Sequence, residues 1–227
     1  MRQLTLLVLS ACAAGLSFAA DPPASAPKGT LVFSDDFNRA ELGDAWRITT
    51  PVFEIADGKL KATQTKPHSA VGMVKVGHKD LVIEFKFKLG GSSGINAVCN
   101  DRDYKEGHAG HLCRVSLQPR QIFLADDKER LRHEIEEMSK DPSKKAEVAK
   151  LTAGRSIGFP TKLDPERWYG LHIEIVGDEL RVNLDDKPVG MLKSSGIAHP
   201  TKTEFYFAVS GKDARFDDLR IWSTDSP

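Results

Sequence analysis

Glu84 and Glu174, each set inside an alternating apolar segment, and His172, two residues before the second, are the side chains best suited to acid–base work. Glycoside hydrolysis would need two carboxyls roughly 5 Å apart for retention or roughly 6.5–9.5 Å for inversion, a separation that spacing in sequence does not set. A second concentration of reactive groups lies in the stretch GGSSGINAVCNDRDYKEGHAGHLCRVSL, Gly90 to Leu117. Asn100, Asp101, Arg102, Asp103, Tyr104, His108 and His111 fill a polar loop between two short apolar runs. The His-x-x-His spacing beside Asp101 and Asp103 admits a metal, or else histidines lining a groove rim and aspartates closing Asx turns. Near the two ends, Asp35-Asp36 and Asp217-Asp218 offer hard oxygen donors of the kind that hold a structural Ca²⁺. Backbone amides and Arg215 or Arg220 are their alternative partners. No phosphate-cradling glycine loop, nucleophile elbow or Cys-x-x-Cys occurs, and no cofactor is implied.

The elements that must position these groups read as strands. Between Asp80 and Leu89, Leu81, Ile83, Phe85, Phe87 and Leu89 face one way, and Val82, Glu84, Lys86 and Lys88 the other. Asp57-Gly58 predicts a hairpin joining Phe53–Ile55 to Leu60–Thr63. Alternation returns in Tyr169–Ile175, Leu180–Leu184, Val189–Leu192, Glu204–Val209 and Arg215–Trp222. One stretch breaks the rule: Leu131, Ile135 and Met138 sit at helical spacing, and Pro142 suits the first turn of a second helix. About a dozen strands with one helical insertion, about 128–152, predict an all-β, antiparallel two-sheet sandwich. The same alternation collects Glu84, Lys86, Asn96, Arg114, His172, Glu174, Arg181, Asn183 and Tyr206 as a ligand-binding set on one open sheet face, with His108 and His111 at its rim. The plainer alternative is a solvated face paired across its strands.

The chain's ends and composition bound its setting. Arg2, the uncharged apolar run Leu4–Leu16 and Ser17-Phe18-Ala19 predict a secretory leader over residues 1–19, too short to span a membrane. Leu9-Ser10-Ala11-Cys12 is the competing pattern, a lipoprotein anchored at Cys12. A proline-rich tether over 20–29 and one domain over 30–223 follow, placing the protein in the periplasm or outside the cell. Acidic and basic residues balance at 32 each, so composition implies no nucleic-acid partner. Oligomeric state leaves no mark in the sequence. Cys99 and Cys113, an even pair in an exported chain, predict a disulfide closing the polar loop; two buried thiols are the alternative.

FSDDFNRAELGDAWR, FEIADGKL, SSGIN, WYGLHIEIVGDELRVNLDDKPVG and FDDLRIW together resemble the concanavalin A-like lectin/glucanase superfamily. Within it the chain is most similar to the jelly-roll domain of 3-keto-disaccharide hydrolases, from Leu31 to Trp222. Ser93 stands where that domain has Asn before Gly-Ile, and the glucanases' Glu-x-Asp-x-x-Glu strand is absent. The resemblance implies a jelly roll that binds carbohydrate on a concave sheet. Two other readings stand beside it: a glycoside hydrolase using Glu84, Glu174 or His172, and a structural domain of a cell-surface assembly.

Overall fold

The structure, a computed structural model, describes residues 25–224. The expected leader and Cys12 lie outside the described residues. In chain order the first strands are β1 (Thr30–Asp35), β2 (Arg47–Thr50), β3 (Phe53–Ala56), β4 (Lys59–Ala62), β5 (Ala70–His78), β6 (Leu81–Lys88) and β7 (Ser92–Asn100). After the polar loop come β8 (His111–Gln118) and β9 (Gln121–Asp126), then helices α1 (Asp127–Arg130), α2 (His133–Ser139) and α3 (Lys145–Leu151). The remainder is β10 (Ser156–Pro160), β11 (Tyr169–Val176), β12 (Glu179–Leu184), β13 (Lys187–Lys193), β14 (Lys202–Gly211) and β15 (Ala214–Ser223).

These strands form two antiparallel sheets. Sheet I runs β13-β12-β11-β6-β15-β4-β3, with β1 also on β15; sheet II runs β10-β9-β8-β7-β14-β5-β2. The chain is an all-β jelly-roll sandwich with a helical insertion between β9 and β10. Alternation builds the core between the sheets: Phe85 and Phe216 of sheet I meet Phe207 of sheet II at 4.9 and 4.0 Å between ring centroids. Trp46 stacks on Phe207 at 6.2 Å, which fixes the segment entering β2. The β3–β4 hairpin turns on Asp57 (φ 56°) and Gly58 (φ 66°), the positive dihedrals of a type I′ turn.

The expected disulfide is corrected. Cys99 and Cys113 are directly opposed across β7 and β8, but both are free thiols. They point inward among Ile83, Ala97, Val115 and Phe205, packing as small hydrophobes. The hydrogen bond that the Cys113 thiol donates to Cys99, together with burial, pushes its pKa well above the ordinary value, so it stays protonated.

Candidate functional site

The expected single polar face is also corrected. β6, β11 and β12 belong to sheet I, whereas β7, β8 and β14 belong to sheet II. Glu84, Lys86, His172, Glu174, Arg181 and Asn183 therefore stand on one outer surface, and Asn96, Arg114 and Tyr206, with His108 and His111 above them, on the other. Alternation tells inside from outside, but not which sheet a strand joins.

The sheet II surface carries a groove of ≈ 670 Å³. Register lays Arg47, Met73, Tyr206, Val98 and Arg114 in one transverse row across five strands. The middle of the row, with Val71, is a small buried apolar strip that forms the floor. Its two ends are ionic. At one end Glu204, 2% exposed, accepts from Arg47 Nη2 at 2.8 Å and Asn100 Nδ2 at 3.4 Å, with Arg102 Nε 3.5 Å away. At the other, fully buried Asp127 takes Arg114 through Nη2 at 3.0 Å and Nε at 2.6 Å, and Arg130 Nη1 at 3.0 Å. Burial raises the Asp127 pKa despite both guanidiniums. Ser116 Oγ donates to Asn96 Oδ1 beside the floor.

The polar loop and the helical insertion build one wall. His108 N donates to Leu131 O at 2.9 Å, His133 N to Glu106 O at 3.0 Å, and Tyr104 Oη to Lys128 O at 3.3 Å. Asp101 closes an Asx turn with Asp103 N at 3.0 Å and binds His199 Nε2 at 2.8 Å; despite burial, these contacts hold its carboxyl below the ordinary range. Gly110 (φ 76°) ends the loop where a Cβ would lie 2.2 Å from Asp101 O, so only glycine brings the chain round to His111. His111 Nε2 pairs with Tyr206 Oη at 2.8 Å. Burial, then Arg114 and His108, lower the His111 pKa to about 4, and burial pushes the Tyr206 phenol up, so the pair is neutral at pH 7. His108 and His133 share Glu136, at 3.1 and 3.3 Å.

The sheet I surface is occupied by its own chain. His172 lies between Glu84 Oε1 at 2.8 Å from Nδ1 and Glu174 Oε1 at 2.9 Å from Nε2. Residues 25–28 cross above them: Ala26 N donates to Glu174 Oε1 at 3.0 Å, and Lys28 Nζ reaches Glu84 at 2.8 Å over the ring of Trp222. Burial raises the Glu84 pKa, but Lys28 and His172 outweigh it and hold it low. Arg181 Nη1 lies 3.8 Å from Glu174, and Asn183 lines the cleft alongside.

The four terminal aspartates have protein partners. Asp35 accepts from Phe37 N, Arg39 and Trp46 Nε1; Asp36 from Asn38 N; Lys59 pairs Asp217 and Lys86 pairs Asp218, each at 2.7 Å. Among the described residues no group of three or more His, Cys, Asp or Glu is arranged to hold a metal ion.

Sequence reasoning missed Arg47, Glu204 and Asp127 as site residues. Glu204 was visible as the polar member before Phe205, but nothing in the sequence pairs it with an arginine 157 positions away.

No family model matches the chain, and no curated protein does. Solved structures do. Carbohydrate-binding module CBM66 from Bacillus subtilis matches at TM-score 0.54 and 15% identity, over 79% of this chain and 96% of the module. A non-specific endo-β-1,3(4)-glucanase of family GH16 matches at TM-score 0.59 and 12% identity, over 90% and 95%. The carbohydrate recognition domain of Emp47p matches at 0.54 and 12%, over 86% and 97%. At such identities the likeness establishes the fold, which is that of the concanavalin A-like lectins and glucanases.

Proposed function

We propose, with a concanavalin A-like jelly roll as the premise, that this protein binds a carbohydrate chain in the groove of sheet II. The observation that carries the reading is the transverse row: a narrow apolar floor ending at Arg47 with Glu204 on one side and Arg114 with Asp127 on the other. A sugar ring has the matching two-sided chemistry, an apolar C–H face and a rim of hydroxyls that pair with amides and guanidiniums. The groove's volume is that of a small-ligand cleft.

Binding without hydrolysis is the reading the carboxylates support. Glu204 is buried against Arg47, and Asp127 lies under two arginines, so neither is free to protonate a leaving group or activate water. The solved structures named above include a carbohydrate-binding module and a carbohydrate recognition domain, in keeping with this reading.

The test is retention on a glycan array, scored alongside product release. Arg114→Ala and Tyr206→Ala should each weaken retention by roughly tenfold or more, the scale of one lost charged hydrogen bond or one buried anchor. Unchanged retention in both variants removes the proposal. Export is proposed with it, on the leader over residues 1–19. Intact mass of the protein from its native host should begin near Ala20; a lipid-modified Cys12 or an unprocessed Met1 would overturn that start.

A further inference from the structure

We infer that the glycan taken by the sheet II groove is acidic, bearing carboxylate or sulfate groups; this rests on the carbohydrate reading of that groove. The chain as a whole has no net charge, yet the charged groups lining the groove are Arg47, Arg102, Lys105 and Arg114 against one carboxylate, Glu204. Counting the Asp127–Arg130 pair packed behind Arg114 leaves that excess of three unchanged.

The excess is built in by stoichiometry. At one end two guanidiniums, Arg47 and Arg102, share the single carboxylate of Glu204. At the other, Arg114 and Arg130 share the single carboxylate of Asp127. Each cluster keeps one positive charge that no carboxylate among the described residues pairs, and the carboxylates that fix the arginines are themselves hidden from a ligand. Arg102 is 57% and Arg47 49% exposed at the side chain, so their donors face the groove's solvent. Guanidinium forks match carboxylate and sulfate oxygens, and a concave wall concentrates their field. At the rim the Glu136 carboxylate lies between His108 and His133, outside the groove's lining, and its single negative charge reduces the excess without reversing it.

What the groove lacks points the same way. A neutral glycan is held largely by stacking on an open aromatic face. Trp46 is buried in the core and Trp222 lies beneath Lys28 on the opposite sheet. Tyr206 is 5% exposed with its hydroxyl committed to His111. Tyr104, half-buried in the wall, has its hydroxyl on Lys128 O and its ring packed edge-on to His199 and beneath the Lys128 ammonium. Charge is therefore the stronger source of affinity available in this groove.

The experiment uses the full mature chain and matched probes: a polyuronate with its carboxyl-reduced form, and a sulfated galactan with its desulfated form. Binding is titrated at about 50 mM and about 500 mM NaCl, a change that shortens the screening length severalfold. The acidic member of a pair should bind at least roughly tenfold tighter, and that advantage should collapse at high salt. Arg102→Gln, an exposed change with little cost to folding, should lower the acidic-to-neutral binding ratio severalfold and flatten its salt dependence. Lys193→Gln on sheet I, 61% exposed, should change nothing. Equal, salt-independent binding of acidic and neutral members overturns this inference and leaves the carbohydrate reading standing. Absence of binding to every probe overturns both. Equally tight binding of a single-stranded oligonucleotide also overturns the inference, because phosphate spacing rather than sugar would then be read.

Discussion

Asp35 is the residue whose loss the structure prices most directly. Its carboxylate, 8% exposed, accepts from Phe37 N at 2.9 Å, Trp46 Nε1 at 2.8 Å, and Arg39 Nη1 and Nη2 at 2.5 and 2.7 Å. Asp35→Ala leaves the first two donors buried without an acceptor, about 1–3 kcal/mol each. Arg39 is 35% exposed and rehydrates, so its share is held to under about 1 kcal/mol. The sum, about 2–7 kcal/mol, is a large part of an ordinary domain's stability. Asp35→Asn keeps one acceptor oxygen and should cost about 1–3 kcal/mol. Burial raises the carboxyl's pKa, but Arg39, Trp46 and the Phe37 amide outweigh it and set it below the usual 3.8. A depressed carboxyl contributes stability that is complete above its unfolded pKa and is lost as pH falls through the folded value. The gap between wild type and Asp35→Asn should therefore hold from pH 7 to about 4 and close below that. Equilibrium urea unfolding at a series of pH values measures it. A cost for Asp35→Ala below about 1 kcal/mol, or a gap that persists undiminished in strong acid, would refute the reasoning. Trp46 immediately precedes Arg47, so this anchor also holds one end of the groove.

Two further outcomes are expected. The His111 pKa, lowered to about 4 from the usual 6.5, means that the unfolded chain takes up a proton the folded chain refuses. Wild type should lose up to about 3 kcal/mol between pH 6.5 and 4 on this account, and His111→Asn should lose that much less over the same interval; parallel stability curves for the two proteins would rule the effect out. Cys99 and Cys113 should resist a maleimide in the native protein and both react once it is unfolded without reductant; an unfolded chain that adds no label until reduced would restore the disulfide.

Strand β6 was legible because one of its faces is core and the other is polar, which is what alternation records. Strand β5 was not legible, because Ala70 to Val74 is buried throughout. Val74 packs in the core while Val71 and Met73 form the apolar strip under the groove, so both faces are apolar and the period disappears. β9 and β10 leave little trace in the sequence for a related reason: they are short and flank the charged insertion, whose helical spacing dominates the local pattern. The insertion itself was legible, down to Pro142 at the start of the turn leading into α3, but of its expected apolar stripe only Ile135 is buried. Asn96, Arg114 and Tyr206 were singled out on the right face of their strands. Their grouping with Glu84 and His172 failed because the chain changes sheets at Gly90-Gly91, between β6 and β7, and no periodicity carries across that crossing.

The two outer faces come from one alternation rule, and their charge balance separates them. On sheet I the carboxylates of Glu84 and Glu174 already have His172, Lys28, Arg181 and a backbone amide, and residues 25–28 lie across them. An arriving ligand would have to displace a segment of the same chain there, giving up its hydrogen bonds before making new ones. On sheet II the buried carboxylates of Glu204 and Asp127 are outnumbered two to one by guanidiniums, so the local charge is left for something outside the protein to satisfy. A face that satisfies itself gains little by binding, and a face left short of negative charge gains most from a ligand that brings it.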